Sequence, residues 1–206
     1  MKIEDYVHAF RSTFGFLDPA ILPWQIPAQL PSILERLSAA LSAADYRTSH
    51  GVLIHNAAII EPGAILKPPA VISEGCFVAA SAYIRGGVFL DRGVIVGPGC
   101  ELKTTIIMSG ASLAHFNFVG DSIVGADVNV EAGAVVANHY NERTDREIRV
   151  YIRGQEIRTG VTKFGAVIGD RSRLGANAVL SPGTILEPSA VVGRLALIDQ
   201  AVRTRG

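Results

Sequence analysis

Aliphatic residues recur along this chain at a spacing that neither a helix nor a hairpin sheet produces. Ile54, Ile60, Leu66, Ile72, Val78, Ile84, Leu90, Val96, Leu102 and Met108 fall six residues apart without a break. The rhythm runs on through Leu113, Val119, Val124, Val130 and Val136 with two steps of five, and it resumes at Ile168, Leu174, Leu180, Leu186 and Val192. Small residues stand two positions before many of these aliphatics, among them Ala58, Ala64, Ala70, Cys76, Ala82, Ala166, Ser172 and Ala178. Residues two apart on a strand share a face, so each small–aliphatic pair points inward together. Turn formers such as Glu61-Pro62-Gly63, Gly97-Pro98-Gly99 and Ser181-Pro182-Gly183 lie between the pairs. The pattern predicts short strands joined by tight corners, three to a coil, with coils stacked at the strand spacing of about 4.8 Å. Right-handed crossovers are the rule for parallel strands, so the spacing by itself leaves the hand of the coil open.

Two stretches stand outside the repeat. Residues 1–49 carry no hexads; Leu30, Ile33, Leu34, Leu37 and Leu41 mark an amphipathic helix with Pro31 near its first turn. We expect a helical cap over the first coil, with the β-helix domain occupying residues 50–206. Residues 139–163 hold ten charged side chains, and Ile148–Ile152 alternates before a turn at Gly154-Gln155. This reads as a charged hairpin protruding from the coils.

Composition narrows the class. Charged residues make up 18% of the chain and the formal net charge is zero, which argues against nucleic-acid or membrane binding through bulk electrostatics. No apolar run approaches the roughly 18 residues of a membrane span. The opening MKIEDYVHAF lacks the form of a signal peptide. Cys76 and Cys100 are too few for a disulfide framework. A cytoplasmic location is the expectation.

Coil arithmetic then places the polar residues. Ile84, Leu102, Val119 and Val136 are one coil apart and share a face, so Arg85 and Lys103 point outward on successive coils, on the order of 5 Å apart. Like charges at that distance imply either an anion between them, such as a phosphate, or a neutralising carboxylate. His115 stands at the corner leading to the same face, and Phe118 points outward on it. Asn129 is outward on the neighbouring face and Asn138 sits at the corner after Val136. An exposed His beside a cationic pair suits a general base acting near a phosphorylated substrate.

The stretch LAHFNFVGDSIVGADVNVEAGAVVAN, Leu113–Asn138, resembles the acetyltransferase domain of the bifunctional N-acetylglucosamine-1-phosphate uridyltransferases and their archaeal sugar-1-phosphate counterparts. The resemblance covers roughly residues 50–195, and the segment TGVTKFGAVIGD, Thr159–Asp170, resembles the archaeal proteins as well. It implies an all-β, left-handed parallel β-helix of hexapeptide repeats and a homotrimer. It also implies acetyl-CoA as co-substrate, with no metal needed for acetyl transfer. By the same resemblance His115 is the base that deprotonates the sugar amine. Arg85 and Lys103 grip the sugar phosphate, and Asn129 and Asn138 match two motif asparagines. Three positions depart from the family pattern. Phe118 replaces a tyrosine, Asn138-His139 replaces an Asn-Tyr pair, and Arg146 and Arg149 stand where the archaeal insertion has lysines. No glycine-rich nucleotidyltransferase signature occurs in the first twenty residues, so the chain is not expected to make a nucleotide sugar unaided, and a separate nucleotidyltransferase is a candidate partner.

Because all these groups lie on the outside of a convex prism, a second subunit is expected to supply the other wall of the site. Two further readings stand beside the enzyme. One is a non-catalytic trimer that binds sugar phosphates or acts as a scaffold. The other is a zinc enzyme of the γ-carbonic-anhydrase type, drawing on His50, His55, His115 and His139.

Overall fold

The computed structural model describes residues 1–201, so the last five residues of the predicted 50–206 domain lie outside the described residues. From Val52 onward the chain forms a left-handed parallel β-solenoid of about eight turns. Each coil contributes one short strand to each of three faces. On face 1 the inward residues Ile84, Leu102, Val119, Val136 and Leu180 pair in register. Face 2 stacks Ile72, Leu90, Ile107, Val124, Ile168 and Leu186. Face 3 stacks Val78, Val96, Leu113, Val130, Leu174 and Val192. These side chains, with the small residues two positions earlier, form one aliphatic column down the axis.

The repeat therefore folds as its spacing predicts, with one shift. Ile107, not Met108, continues the face 2 column, because the shortened step falls between Leu102 and Ile107. Met108 belongs instead to a second apolar cluster outside the prism. Corners are turned by residues with positive φ, including Thr104, Phe116, Asp121 and Asn177. Short polar side chains tolerate this left-handed geometry best, and the bulky Phe116 is the exception among these four.

The N-terminal segment is not a lid on the first coil. That coil is bordered by an antiparallel strand, Tyr46–Ser49, paired with Val52–His55. The helix starts earlier than expected, spanning Ile26–Ser38, and lies side-on against Tyr83–Leu90 and Glu101–Ile107. The reason is the outward row of face 2. Val71, Phe89, Ile106, Ile123, Val167 and Ile185 are all apolar, and all are buried by the segment and its neighbours. Phe14 meets Phe89 edge-on at 5.2 Å and Trp24 meets Phe164 at 6.3 Å. His8 fixes the segment further along the prism, with its backbone N–H donating to Asp170 at 3.0 Å and its Nδ1 2.7 Å from the same carboxylate oxygen.

The insertion is a hairpin of Arg149–Ile152 and Gln155–Arg158, but its base does not stand free. Ile148 and Val150 are fully buried against the same outward cluster, and the Tyr140 hydroxyl donates to the Pro182 carbonyl at 3.0 Å. The alternation that predicted the hairpin also gave it one apolar side, and that side closes the C-terminal part of face 2. Faces 1 and 3 remain open.

Candidate active site

Face 1 carries most of the predicted site along its border with face 2. Arg85 and Lys103 are register partners on adjacent coils, as the coil arithmetic required. Neither cation is bare. Arg85 donates to Glu101, with Nε at 2.8 Å and Nη2 at 2.6 Å from the same oxygen, and it lies 5.8 Å from the centre of the Tyr83 ring. Lys103 Nζ donates to Asp121 Oδ2 at 2.7 Å. A carboxylate one coil onward thus neutralises each member of the pair within the chain. The two ion pairs differ in cover. The Arg85 and Glu101 side chains are 37% and 33% exposed, whereas those of Lys103 and Asp121 are 19% and 7% exposed. The outer pair is partly solvated, the kind that contributes little to stability; the inner one is largely buried.

Asp121 is the residue that motif reading passed over. It turns the corner after face 1 with φ 47°, its N–H donates to the Lys103 carbonyl at 2.8 Å, and its own carbonyl accepts from Gly165 at 2.9 Å. Its carboxylate also accepts a hydrogen bond from the Asn138 side-chain amide. Asn138, expected at the surface as a substrate ligand, is buried at 6% exposure, and its Oδ1 lies 3.1 Å from His139 Nδ1. The Phe118 ring approaches the same place: a Cβ added to Gly120 would sit 2.9 Å from the ring tip and 2.8 Å from the Asn138 amide nitrogen. Lys103, Asp121, Asn138, His139 and Phe118 therefore form one contiguous group.

His115 and Asn129 stand apart from it. His115 is exposed at the corner between faces 3 and 1, held through its backbone by Gly133 N–H at 2.8 Å. Among the described residues no group bonds its imidazole. It occupies the opposite edge of face 1 from Arg85 and Lys103. Asn129 is exposed on face 3, in register with Ser112 and Arg173. A single chain thus separates the predicted base from the predicted anion clamp by the width of one face.

The remaining candidates for chemistry do not converge. His50 and His55 lie at the first coil, and among the described residues no group of three or more His, Cys, Asp or Glu side chains could hold a metal ion. Cys76 and Cys100 are buried, and burial pushes the Cys76 thiol up to about 11, so neither is poised as a nucleophile. No helix among the described residues is long and apolar enough to cross a membrane.

Comparison with known proteins shows the family of the chain. A GlmU bifunctional protein of Methanococcus maripaludis is 36% identical over 183 residues, covering 87% of this chain and 44% of that protein. A bifunctional sugar-1-phosphate nucleotidylyltransferase/acetyltransferase of Sulfurisphaera tokodaii is 37% identical over 106 residues, covering 48% of this chain and 26% of its own length. The chain is a homologue of the bifunctional GlmU proteins. It spans less than half the length of these relatives, and the part it matches is their acetyltransferase part. Among solved structures, a hexapeptide transferase family protein of Anaplasma phagocytophilum overlaps 70% of each chain at a TM-score of 0.41 and 15% identity. No family model matches the chain.

Proposed function

We propose that this chain is an acetyl-CoA-dependent acetyltransferase that acts on an amino-sugar 1-phosphate, of which glucosamine 1-phosphate is the nearest example. The observation that carries the reading is the kinship with the GlmU proteins over 183 residues and, over 106 residues, with a protein named as a sugar-1-phosphate nucleotidylyltransferase/acetyltransferase. The His115 imidazole takes a proton from the sugar amine as the nitrogen attacks the thioester carbonyl, and the coenzyme A thiol departs. A corner backbone N–H stabilises the tetrahedral oxyanion. The sugar phosphate engages Arg85 by displacing Glu101 from its solvated ion pair, with the charge of Lys103 behind it. Phe118 lines the sugar pocket, with Asn138 beside it. Asn129 completes the site from face 3.

The separation of His115 from the cationic pair supports a homotrimer in which one chain's edge faces another's. The exposed large apolar residues support it too. Ile59, Ile95 and Val191 lie on face 3, Ile65 and Leu197 on face 1, and Phe116 and Leu195, 72% and 77% exposed, on the edge between them. Face 2 is already covered within the chain, so copies have only the other two faces to pack. Nucleotidyl transfer onto the 1-phosphate is the class of reaction that would consume the product.

The second reading is a sugar-phosphate-binding or scaffold trimer without turnover, and the closed Arg85–Glu101 and Lys103–Asp121 pairs favour its scaffold form. Thiol release from acetyl-CoA across a panel of amino-sugar 1-phosphates, in wild type and His115→Ala, separates the two. Turnover that collapses in the variant is the expected result. A folded trimer that releases no thiol with any acceptor sinks the enzyme reading.

A further inference from the structure

The polar groups at the border of faces 1 and 2 dictate one another's orientation. An ionised carboxylate only accepts hydrogen bonds. Asp121 Oδ2 accepts from Lys103 Nζ at 2.7 Å, so the Asn138 atom that meets the same oxygen is the amide nitrogen. With its NH2 committed there, Asn138 turns its carbonyl Oδ1 toward His139 Nδ1 at 3.1 Å. A carbonyl oxygen also only accepts, so the neutral ring must carry its hydrogen on Nδ1. The lone pair is left on Nε2. His139 is exposed, and among the described residues nothing else bonds its ring. Within one chain it is this imidazole, not His115, that is hydrogen-bonded into the cluster holding Lys103.

We infer that His139 presents Nε2 as a fixed hydrogen-bond acceptor to an N–H or O–H donor of the acceptor sugar, with Asn138 and Asp121 as its positioning residues. The inference rests on the acetyltransferase reading for the identity of its ligand, and on the hydrogen-bond chain alone for the tautomer. It makes His139 a specificity residue: a sugar offering a hydroxyl or ammonium at this position is accepted, and one offering only an acceptor oxygen is refused. The refusal arises because two lone pairs would then face each other without a proton between them.

The test has two arms, both on the full chain. In 15N-histidine-labelled protein, His139 Nδ1 is expected to carry the hydrogen and Nε2 to show the signal of a bare ring nitrogen. Asn138→Ala or Asp121→Asn should release the ring to the other tautomer. A wild-type His139 with its hydrogen on Nε2 overturns the inference. In the second arm, His139→Ala is expected to raise the KM for the amino-sugar 1-phosphate about tenfold or more, leaving the KM for acetyl-CoA within about twofold. Adding Asn138→Ala to His139→Ala should then change little, since the first acts through the second. An unchanged acceptor KM in His139→Ala, or fully additive losses, overturns the inference while leaving the acetyltransferase reading intact. If wild type releases no thiol, that reading falls instead. The dissociation constant of glucosamine 1-phosphate by calorimetry then decides the inference: about tenfold weaker binding in His139→Ala supports it, and equal or absent binding overturns it.

Discussion

Adding one methyl group to Gly120 probes how closely the site is packed. No positive φ is involved at this glycine, so alanine brings no backbone strain. Its Cβ would lie 2.8 Å from the Asn138 amide nitrogen, 2.9 Å from that side chain's Cγ and 2.9 Å from the Phe118 ring tip. Asn138 is buried and bonded to Asp121, so it cannot simply swing away, and Phe118 must move with it or against it. Overpacking of this kind costs about 1–3 kcal/mol. For a chain of this length each kcal/mol lowers Tm by roughly 2–4 °C, so calorimetry should show a fall of about 2–12 °C. Gly193 supplies the control: a Cβ there meets nothing within 4 Å, and no positive φ stands against it. Gly193→Ala should be neutral or stabilising by up to about 1 kcal/mol. The acceptor KM of Gly120→Ala should also rise, because both disturbed side chains belong to the proposed pocket. A Gly120→Ala protein with wild-type Tm and wild-type KM would show that Asn138 and Phe118 are not held in this way and that His139 has no ordered support.

Three further outcomes are expected. Leu34→Ala removes a fully buried contact between the N-terminal helix and face 2 and should cost about 2–5 kcal/mol by denaturant titration; a loss under 1 kcal/mol would mean the segment is not docked. Asp170→Ala strands the backbone N–H groups of His8 and Ala126, which now donate to its carboxylate at 3.0 and 2.8 Å, and should cost about 1–3 kcal/mol; hydrogen exchange should quicken first at residues 3–14. Cys76 should resist thiol reagents in the native protein. Since burial raises its thiol from 9.0 to about 11, the folded state holds that proton more tightly. This contribution to stability is present below pH 9 and is lost as pH rises from 9 toward 11, a slope that should shrink in Cys76→Ala.

The solenoid was legible because its inward positions obey one period over most of the chain, and even the mistaken Met108 missed by a single residue. The covering of face 2 was not read, although its signal was present. Val71, Phe89, Ile106, Ile123 and Val167 form an unbroken apolar row at the outward positions of face 2, the mark of a covered face. The arithmetic that placed Arg85 and Lys103 continues to Gly120, the register partner of Lys103, and Asp121 is the corner residue one step beyond it. Inward spacing therefore does not point to it. Burial of Asn138 could not be read from spacing. It depends on Gly120 beneath it and on the return of the chain at Gly165, which follows an insertion whose length carries no period.

The insertion and the N-terminal latch together bear on how the molecule comes apart. A plain solenoid can unwind rung by rung from either end, since each rung leans only on its neighbours. Here Val136 and Leu180 are adjacent rungs 44 residues apart in sequence, where most neighbours are 17 or 18 apart. Closing that longer loop costs only about 0.8 kcal/mol more by the logarithmic rule, so the detour is cheap to make. Its hairpin and the first ten residues, however, belong to one apolar cluster over face 2, and His8 reaches Asp170 over 162 positions. The first residues therefore clasp coils formed near the end of the chain. Fraying at the amino end must loosen the distant coils as well, and a modular stack is turned into a body that opens as a unit.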